Sequence, residues 1–246
     1  KAIVFAGHQH QQAWNEMLID AAAAELARDP EALLQMLGYA QLWQIIGRAY
    51  DLSKSQQHPR CFARFWERFK ATASQSRIAL AQDGTTQPPN GVMLKWQLNE
   101  VQVNALGEMG GRVPIEDLRP HHNPLNALGA PILSFERLVN LMSTAFIDME
   151  AGAKEIPDEK IESFYRPLWS IVNDLLPDSS TQTSTLNPSI HKLRGIPFVV
   201  TEDSYLVTIN QSYIAQHPLR ADQVASLLPR LAILSRHLLG FPKIAR

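Results

Sequence analysis

The sequence is poor in cysteine and contains no long hydrophobic run. Its 246 residues include one cysteine, Cys61, so an internal disulfide and a four-cysteine zinc site are both excluded. No stretch of about 18 consecutive apolar residues occurs, so no transmembrane helix and no membrane partner are predicted. The opening Lys1–Gly7 is too short for the apolar core of a signal peptide. These absences fit a reducing compartment, and we expect the protein in the cytoplasm.

The sequence also lacks the short motifs of common catalytic sites. The phosphate-binding loop GxxxxGK[ST], the nucleophile elbow GxSxG and the zinc motif HExxH are absent. The glycine-rich stretch Gly107–Gly111 does not stand between a clear strand and a helix. We therefore predict no catalytic residue, no metal ligand and no cofactor, and an enzyme is the less favoured interpretation.

Two pairs of histidines keep a metal-dependent helical enzyme open as an alternative. His8 and His10 stand two residues apart and could join a carboxylate such as Asp20 around a metal ion. His121 and His122 are adjacent and follow two acidic residues, but the side chains of neighbouring residues point in different directions. Polar loop positions are the simpler interpretation of both pairs.

The clearest helix in the sequence is Ser134–Met149. Six apolar residues recur at helical spacing and fall on one face. Ser134 stands at the N-cap position, where its hydroxyl can accept a hydrogen bond from a first-turn N–H, and Gly152 follows as a stop. We predict a central core helix whose apolar face consists of Phe135, Leu138, Val139, Met142, Phe146 and Met149.

Helical spacing predicts further helices on both sides of this one. The pattern at Gln12–Leu37 is divided by Asp29, which suits the N-cap of a second helix. Pro167 should kink or split a helix at Asp158–Leu176, and a last helix is predicted at Gln223–Leu239. The first of these helices has one apolar face, formed by Trp14, Met17, Leu18 and Ala21.

Strand patterns are fewer. Alternation of apolar and polar residues predicts a half-buried strand at Val92–Leu98. Ile196–Thr201 and Tyr205–Ile209 flank a short turn and predict a β-hairpin, whereas the composition of residues 178–189 is typical of a flexible linker. We therefore predict a predominantly helical α+β fold with a small antiparallel sheet or hairpins. Its parts would be a helical body (residues 1–177), the linker (178–189) and a C-terminal β-hairpin plus helix (190–246).

A positively charged stretch runs from Arg48 to Arg77. It contains seven Lys and Arg against two Asp and Glu, a net charge of +5, in a chain whose net charge is −1. Arg60, Arg64 and Arg68 stand four residues apart beside an aromatic face, so on a helix they form one ridge. Such a ridge could neutralise nucleic-acid phosphates, or it could be a solvated face whose Arg stems cover an aromatic core.

The segment FERLVNLMSTA, Phe135–Ala145, resembles a signature of the AcaB-type transcriptional regulators of integrating conjugative elements and conjugative plasmids. In that family an Asn-Pro dipeptide precedes such a helix, and here Asn123-Pro124 stands in that place. The aromatic-rich stretch Phe62–Phe69, which follows a polar break ending in His58-Pro59, is similar as well. The likeness covers residues 38–150.

The resemblance implies a DNA-binding regulator from a bacterial mobile genetic element, with a ribbon-helix-helix-like core. In such a core a strand from each of two subunits enters the major groove, which implies a homodimer. The strand here would be Val92–Leu98, with its polar side chains facing the bases. Together with the basic stretch, this predicts a nucleic-acid-binding site formed by Arg60, Arg64, Arg68, Lys70, Arg77, Lys95 and Gln97.

One further function class stays open beside DNA binding and metal-dependent catalysis. Exposed aromatic residues and a mobile linker are also features of proteins that hold larger assemblies together. The aromatic content of this chain and its predicted linker therefore keep a protein–protein adaptor subunit as a third hypothesis.

Overall fold

The computed structural model describes residues 9–54, 60–149, 155–176, 188–201, 204–213 and 232–233. Its helices are α1 (Gln9–Arg28), α2 (Pro30–Leu37), α3 (Tyr39–Lys54), α4 (Arg60–Ala73), α5 (Glu100–Glu108), α6 (His122–Ala127), α7 (Phe135–Ala145), α8 (Asp158–Lys160), α9 (Arg166–Leu175) and α10 (Pro188–Arg194). Its strands are β1 (Ala79–Leu80), β2 (Thr86–Gln87), β3 (Pro197–Val200), β4 (Leu206–Thr208), β5 (Ser212–Tyr213) and β6 (Ala232–Ile233). Short 3-10 helices lie at Pro89–Gly91, Glu116–His121 and Ile209–Gln211, and a π-helix at Ile161–Tyr165 connects α8 to α9.

The strands form three sheets of two strands each in the described ranges. β1–β2 and β3–β4 are antiparallel, and β5–β6 is parallel. The predicted class, a predominantly helical α+β fold with small antiparallel sheets, is confirmed. The predicted C-terminal hairpin is confirmed as β3 and β4, in which Val200 pairs with Leu206. Among the helices that the structure describes, none combines the length and the apolarity needed to cross a membrane.

Contacts divide the chain into two compact units. Unit 1 consists of Lys1–Trp96 and Arg112–Ile132, and unit 2 of Gln97–Gly111 and Leu133–Arg246. The chain therefore leaves unit 1 after Trp96 and returns to it at Arg112. Of the predicted linker, residues 178–187 lie outside the described ranges, and residues 188 and 189 belong to α10. The predicted three-part division of the chain stays a prediction.

The boundaries of α2 follow from local chemistry. Asp29 caps its first turn, because Asp29 Oδ1 accepts a hydrogen bond of 2.9 Å from the backbone N–H of Ala32. Pro30 occupies the first turn, where its missing N–H costs nothing. Gly38 ends the helix with a φ of 74°, a left-handed conformation that glycine adopts without strain. The division predicted at Asp29 is confirmed.

Unit 1 is built around the buried indole of Trp43 on α3. Trp43 Nε1 donates a hydrogen bond of 2.9 Å to the carbonyl oxygen of Ile78, directly before β1. A buried N–H without an acceptor would cost about 1–3 kcal/mol, so this bond fixes α3 against the start of β1. The surrounding core includes Ala23, Leu42, Ile46, Trp66, Phe69, Ile78, Val92, Leu94, Leu118, Leu125 and Leu128.

The apolar face predicted for the first helix is not its buried face. Trp14, Met17 and Leu18 of α1 are 57%, 55% and 49% exposed. Ala23 and Ala27, on the opposite side of the helix, are buried instead. α1 packs against α4, and small alanine side chains let the two helices approach closely.

The strand predicted at Val92–Leu98 does not form. Val92 and Leu94 are buried, as the alternation predicted, but the segment makes hydrogen bonds to two separate parts of the chain. Met93 N–H donates to the carbonyl oxygen of Arg112 (2.7 Å), and Leu94 N–H donates to that of Pro131 (2.8 Å). Only an isolated bridge results, because neither neighbour runs alongside for a ladder. The described residues therefore contain no ribbon of the ribbon-helix-helix kind at this segment.

The central helix is confirmed as α7, with a shorter C-terminal end. Five of the six predicted core residues, from Phe135 to Phe146, are buried. Ser134 is its N-cap, as predicted. The helix ends at Ala145, so Met149 lies beyond it and is 47% exposed. α7 belongs to unit 2.

The helix predicted at Asp158–Leu176 changes to a π-helix just before Pro167, which itself lies in the first turn of α9. Proline cannot donate to the carbonyl four residues earlier, and its ring crowds that turn. The chain adopts a π-helix just before it, in which Arg166 N–H donates to the carbonyl oxygen of Ile161, five residues back. In the following α9, Trp169 is fully buried, and its Nε1 donates a hydrogen bond of 2.9 Å to the carbonyl oxygen of Phe198 in β3.

The last predicted helix, Gln223–Leu239, lies almost wholly outside the described residues. Two of its residues, Ala232 and Ile233, are described as β6, which pairs with β5. At these two positions the helix prediction is wrong. Pro229 stands just before them, and proline disfavours a continuous helix through such a position.

Replacing Ser134 by alanine should lower the free energy of unfolding by about 1 kcal/mol. The Ser134 hydroxyl accepts a hydrogen bond of 3.3 Å from the Arg137 N–H, which alanine would leave without this partner. Urea unfolding measures the change. Ser143→Ala in the same helix is the matched control and should stay within about 0.5 kcal/mol. Equal losses for both variants would contradict the capping role.

Candidate functional site

The predicted nucleic-acid site centres on α4, where Trp66 and Phe69 are buried. Trp66 is buried and meets the ring of Tyr50 edge-on, with 5.2 Å between the ring centroids. Arg60 and Arg64 belong to α4, but their side chains lie outside the described residues. The predicted ridge can therefore be followed at Arg68.

Arg68 faces an acidic residue of α1. Its guanidinium lies 4.0 Å from a carboxylate oxygen of Asp20, and the two side chains are 55% and 27% exposed. A carboxylate at this distance attracts the guanidinium and offsets part of its charge. Arg68 is thus partly neutralised inside the protein before any ligand binds.

The other predicted residues are spread over the chain. Lys70 is half-buried near the end of α4, and Arg77 is exposed just after it. The backbone N–H of Arg77 donates a hydrogen bond of 2.7 Å to Glu31 Oε1, which brings another acid to this position. Lys95 is half-buried in unit 1, whereas Gln97 is exposed and belongs to unit 2. The structure therefore brings Arg68, Lys70 and Arg77 onto one helix and its end, and Gln97 belongs to the other unit.

Two cations of the basic stretch lie on α3. Arg48 and Lys54 are both exposed. The Lys54 ammonium lies 5.6 Å from the centre of the Tyr50 ring, within the range of a cation–π contact. Across unit 1 as a whole, twelve Lys and Arg stand against ten Asp and Glu. The positive charge is therefore a property of the segment from Arg48 to Arg77 and not of the whole unit.

A second feature of unit 1 is an open cleft along the outer face of α3. Two adjoining depressions, of about 840 and 640 Å³, lie between α3 and the chain from Ile115 to Pro124. Gln44, Pro120 and His121 line both depressions. We name this feature the α3 cleft.

The imidazole of His121 lies against α3 at a glycine. A Cβ added to Gly47 would stand 2.9 Å from His121 Nδ1, closer than side chains tolerate. The ring of Trp43, one turn earlier on α3, lies near the same imidazole, with 5.8 Å between the ring centroids. Partial burial lowers the pKa of His121, and the charge of Asp51 offsets some of this effect. The packing therefore favours the neutral imidazole.

Charges around the α3 cleft largely balance. Arg119 is paired with Glu116 through a hydrogen bond of 2.8 Å, and Arg48 stands three residues before Asp51 on α3. Burial raises the pKa of Tyr39 to about 12, so its phenol stays protonated at neutral pH. The cleft presents polar groups of both signs, which does not select an anionic ligand.

The neighbouring His122 is bonded to a different tryptophan. Trp96 Nε1 donates a hydrogen bond of 2.8 Å to His122 Nδ1, and the two rings meet at 66°. An indole N–H can only donate, so His122 Nδ1 must carry a lone pair in this arrangement. Trp96 therefore fixes the orientation of the His122 ring, with Nδ1 as the acceptor.

The two adjacent histidines are explained by packing. His121 is placed by α3 and His122 by Trp96, and the described residues contain no group of three or more His, Cys, Asp or Glu that could hold a metal ion. His8 lies outside the described residues, and of His10 only the backbone in α1 is described. None of these contacts supports the metal-dependent alternative.

Comparison with known proteins finds no match to a protein-family model, to a curated protein or to a solved structure. The resemblance of Phe135–Ala145 to AcaB-type regulators stays a prediction. In the structure this segment is α7, and its apolar residues fill the core of unit 2. Packing alone accounts for the spacing of those residues.

Sequence reasoning missed the contacts of both histidines. His121 meets Gly47 and Trp43 across more than seventy positions of the chain, and no local pattern connects them. The one available signal was Gly47 itself, because a glycine inside a helix costs about 1 kcal/mol and often marks a close approach. The bond between Trp96 and His122 had no signal in the sequence.

Replacing Gly47 by alanine should destabilise unit 1, although this change usually stabilises a helix. The new methyl group would displace His121 from its place beside Trp43, at a cost of about 1–3 kcal/mol. Gly107→Ala in α5 is the matched control, because nothing lies within 4 Å of an added Cβ there. We expect that control to stabilise by about 0.5–1 kcal/mol in urea unfolding.

A double-mutant cycle separates the clash from other effects. With His121 also replaced by alanine, Gly47→Ala should lose most of its cost, because the atom it displaces is gone. Additive free energies of unfolding would show that Gly47 and His121 do not act on each other.

Proposed function

We propose that the protein is a non-enzymatic nucleic-acid-binding protein. Unit 1 would contact phosphates through residues 48–77, which we name the basic segment. The observation that supports this is the net charge of +5 on the segment, with Arg48, Lys54 and Arg77 all exposed. Each neutralised phosphate releases counterions, so even a modest cluster of cations gives measurable affinity at low salt.

The proposal relies on phosphate contacts and not on base readout by a strand. Without a ribbon at Val92–Leu98, Lys95 and Gln97 lack the regular alternation that would aim them at one groove. Arg68 should contribute less than Lys54 or Arg77, because Asp20 already offsets its charge. Phosphate contacts position a protein without reading sequence, so selectivity would have to come from elsewhere.

The family resemblance supports duplex DNA as the ligand within this proposal. AcaB-type regulators are DNA-binding transcriptional activators, so the resemblance of Phe135–Ala145 favours gene regulation on a bacterial mobile genetic element, in the cytoplasm. α7 itself is occupied by core packing, so the resemblance supports the class of ligand and not the contact residues.

Binding of duplex and single-stranded DNA should weaken steeply as salt rises from about 50 to 200 mM. Lys54→Ala and Arg77→Ala should each weaken binding and lower the slope of log affinity against log salt by about 1. Arg68→Ala should change the slope less, because its charge is already offset. Fluorescence anisotropy with labelled DNA gives all these values.

Arg28→Ala is the matched control for these variants. Arg28 is an exposed cation of the same unit, paired with Glu25, and lies outside the basic segment. Arg28→Ala removes one positive charge, as the other variants do. If binding depends on the basic segment and not on total charge, this variant should keep its affinity for DNA. An equal loss for Arg28→Ala, or affinity indifferent to salt, would refute the basic segment as the contact surface.

A second candidate function, assembly with another protein chain, is favoured by the exposed stripe on α1. Trp14, Met17 and Leu18 stand at helical spacing and are each about half exposed. Contiguous exposed apolar side chains, with an aromatic residue among them, are typical of protein interfaces. A second copy of this chain is the partner that this candidate names, in line with the homodimer that the resemblance implies.

The double variant Trp14→Ser/Leu18→Ser should shift the protein from dimer to monomer, because it removes the apolar area that such contacts bury. Light scattering after gel filtration measures the mass. Met36→Ser is the control, since Met36 is a single exposed apolar residue on α2, 79% exposed. A wild-type protein that is monomeric at high concentration would exclude self-assembly through this stripe.

A further inference from the structure

The α3 cleft and the basic segment meet at one residue. Arg48 is the first residue of the basic segment, and it also lines the second depression of the cleft. The polar residues of α3 in this depression recur every three or four positions, so they form one stripe on the helix, which consists of Gln41, Gln44, Arg48 and Asp51. A strand of nucleic acid whose phosphate lies at Arg48 therefore has its adjoining sugar and base beside the cleft.

The hydrogen-bonding groups of the cleft suit an uncharged ligand. Gln41, Gln44 and Asn123 line the second depression and are exposed, and within the described residues their side chains make no hydrogen bond. Each carboxamide offers N–H donors and a carbonyl acceptor. Because the charges around the cleft nearly balance, an anion gains no net attraction there. The cleft therefore fits a neutral group that carries both donors and acceptors.

The cleft also offers ring surfaces and sufficient room. Pro120 and His121 line both depressions, and Tyr39 and Ile115, which are half-buried, line the first. The volumes of about 840 and 640 Å³ fall within the range of about 300–1,000 Å³ that is typical of small-molecule sites. A flat heterocycle with polar edges matches both the ring surfaces and the carboxamides.

Nucleobases combine these properties. Their edges carry donors and acceptors that Asn and Gln side chains can bind, and their faces stack on protein rings. In a duplex the partner base occupies the pairing edge, so only an unpaired base can offer that edge to a protein. Arg48 stands one turn after Gln44, about 6 Å along the axis of α3, so one nucleotide can place its base at Gln44 and its phosphate at Arg48.

We propose that the α3 cleft binds an unpaired nucleobase of single-stranded DNA, while the basic segment contacts the phosphates of the same strand. This inference rests on the proposed nucleic-acid function and adds selectivity to it. Phosphate contacts alone do not distinguish a strand that has bases from one that lacks them, whereas the cleft does. Duplex DNA then binds through its phosphates only.

Fluorescence anisotropy with two labelled strands of equal length, at about 50 mM salt, tests the cleft in the intact chain. One strand carries normal bases and the other a stable abasic analogue at every position, so both have the same number of phosphates. The normal strand should bind about tenfold more tightly, because one bound base contributes about that much. Equal affinities would overturn the cleft proposal and leave the phosphate contacts standing. No binding of either strand would refute the nucleic-acid function together with the cleft.

Three variants assign the preference to the cleft. Gln44→Ala should lower the preference for the normal strand several-fold and leave the affinity for the abasic strand unchanged, because its carboxamide contacts the base. Lys54→Ala should weaken the binding of both strands by the same factor. Gln35→Ala is the matched control, since Gln35 is an exposed carboxamide of α2 in the same unit and does not line the cleft. A preference that survives Gln44→Ala, or that Gln35→Ala lowers equally, would overturn the proposal.

Discussion

The hydrogen bond from the buried Trp43 indole to the carbonyl oxygen of Ile78 is the constraint on which the rest of unit 1 depends. Leaving that N–H unpaired in the core would cost about 1–3 kcal/mol, a large part of the stability of a typical domain. The bond therefore fixes the rotation of α3 relative to β1. Once α3 is fixed, its outer face is fixed too, and the missing side chain of Gly47 lets the His121 ring approach the helix closely. The α3 cleft is thus a consequence of core packing.

Unit 2 also contains a buried indole hydrogen bond to a backbone carbonyl. It connects two parts of the chain that the sequence composition assigns to separate regions. Trp169 of α9 donates to the carbonyl oxygen of Phe198 in β3, across the polar residues that were predicted to form a linker. A buried bond of this kind orders both partners, so α9 and β3 belong to one packed structure whatever the residues between them do. Low hydrophobicity in a connecting segment says little about whether the elements that it joins pack together.

Local signals in the sequence were sufficient for elements whose ends are chemically marked. α2 begins at an Asp cap and ends at a glycine, and α7 begins at a Ser cap followed by apolar residues at helical spacing, so both could be predicted. The buried side of α1 could not be predicted in this way, because the element that packs against a helix decides which of its faces is buried. Arg68 of α4 lies against α1, so the side of α1 that carries Asp20 complements its charge better than the apolar side would. The segment at Val92–Leu98 has the alternating pattern of a strand. A strand also needs a neighbour that pairs along its length, and this segment bonds instead to two separate segments, at Arg112 and at Pro131.

The same distinction applies to the candidate site. Counting charges along the basic segment gives +5, and that number treats every cation as available. The fold brings Asp20 to Arg68 and Glu31 to the backbone of Arg77, from positions about fifty residues away in the chain. A phosphate that approaches Arg68 must compete with the carboxylate of Asp20, so the cations that matter are those whose side chains have no such neighbour. Intramolecular pairing is therefore what separates a basic stretch of sequence from a basic surface. It makes Lys54, which is exposed on α3, a better contact than Arg68.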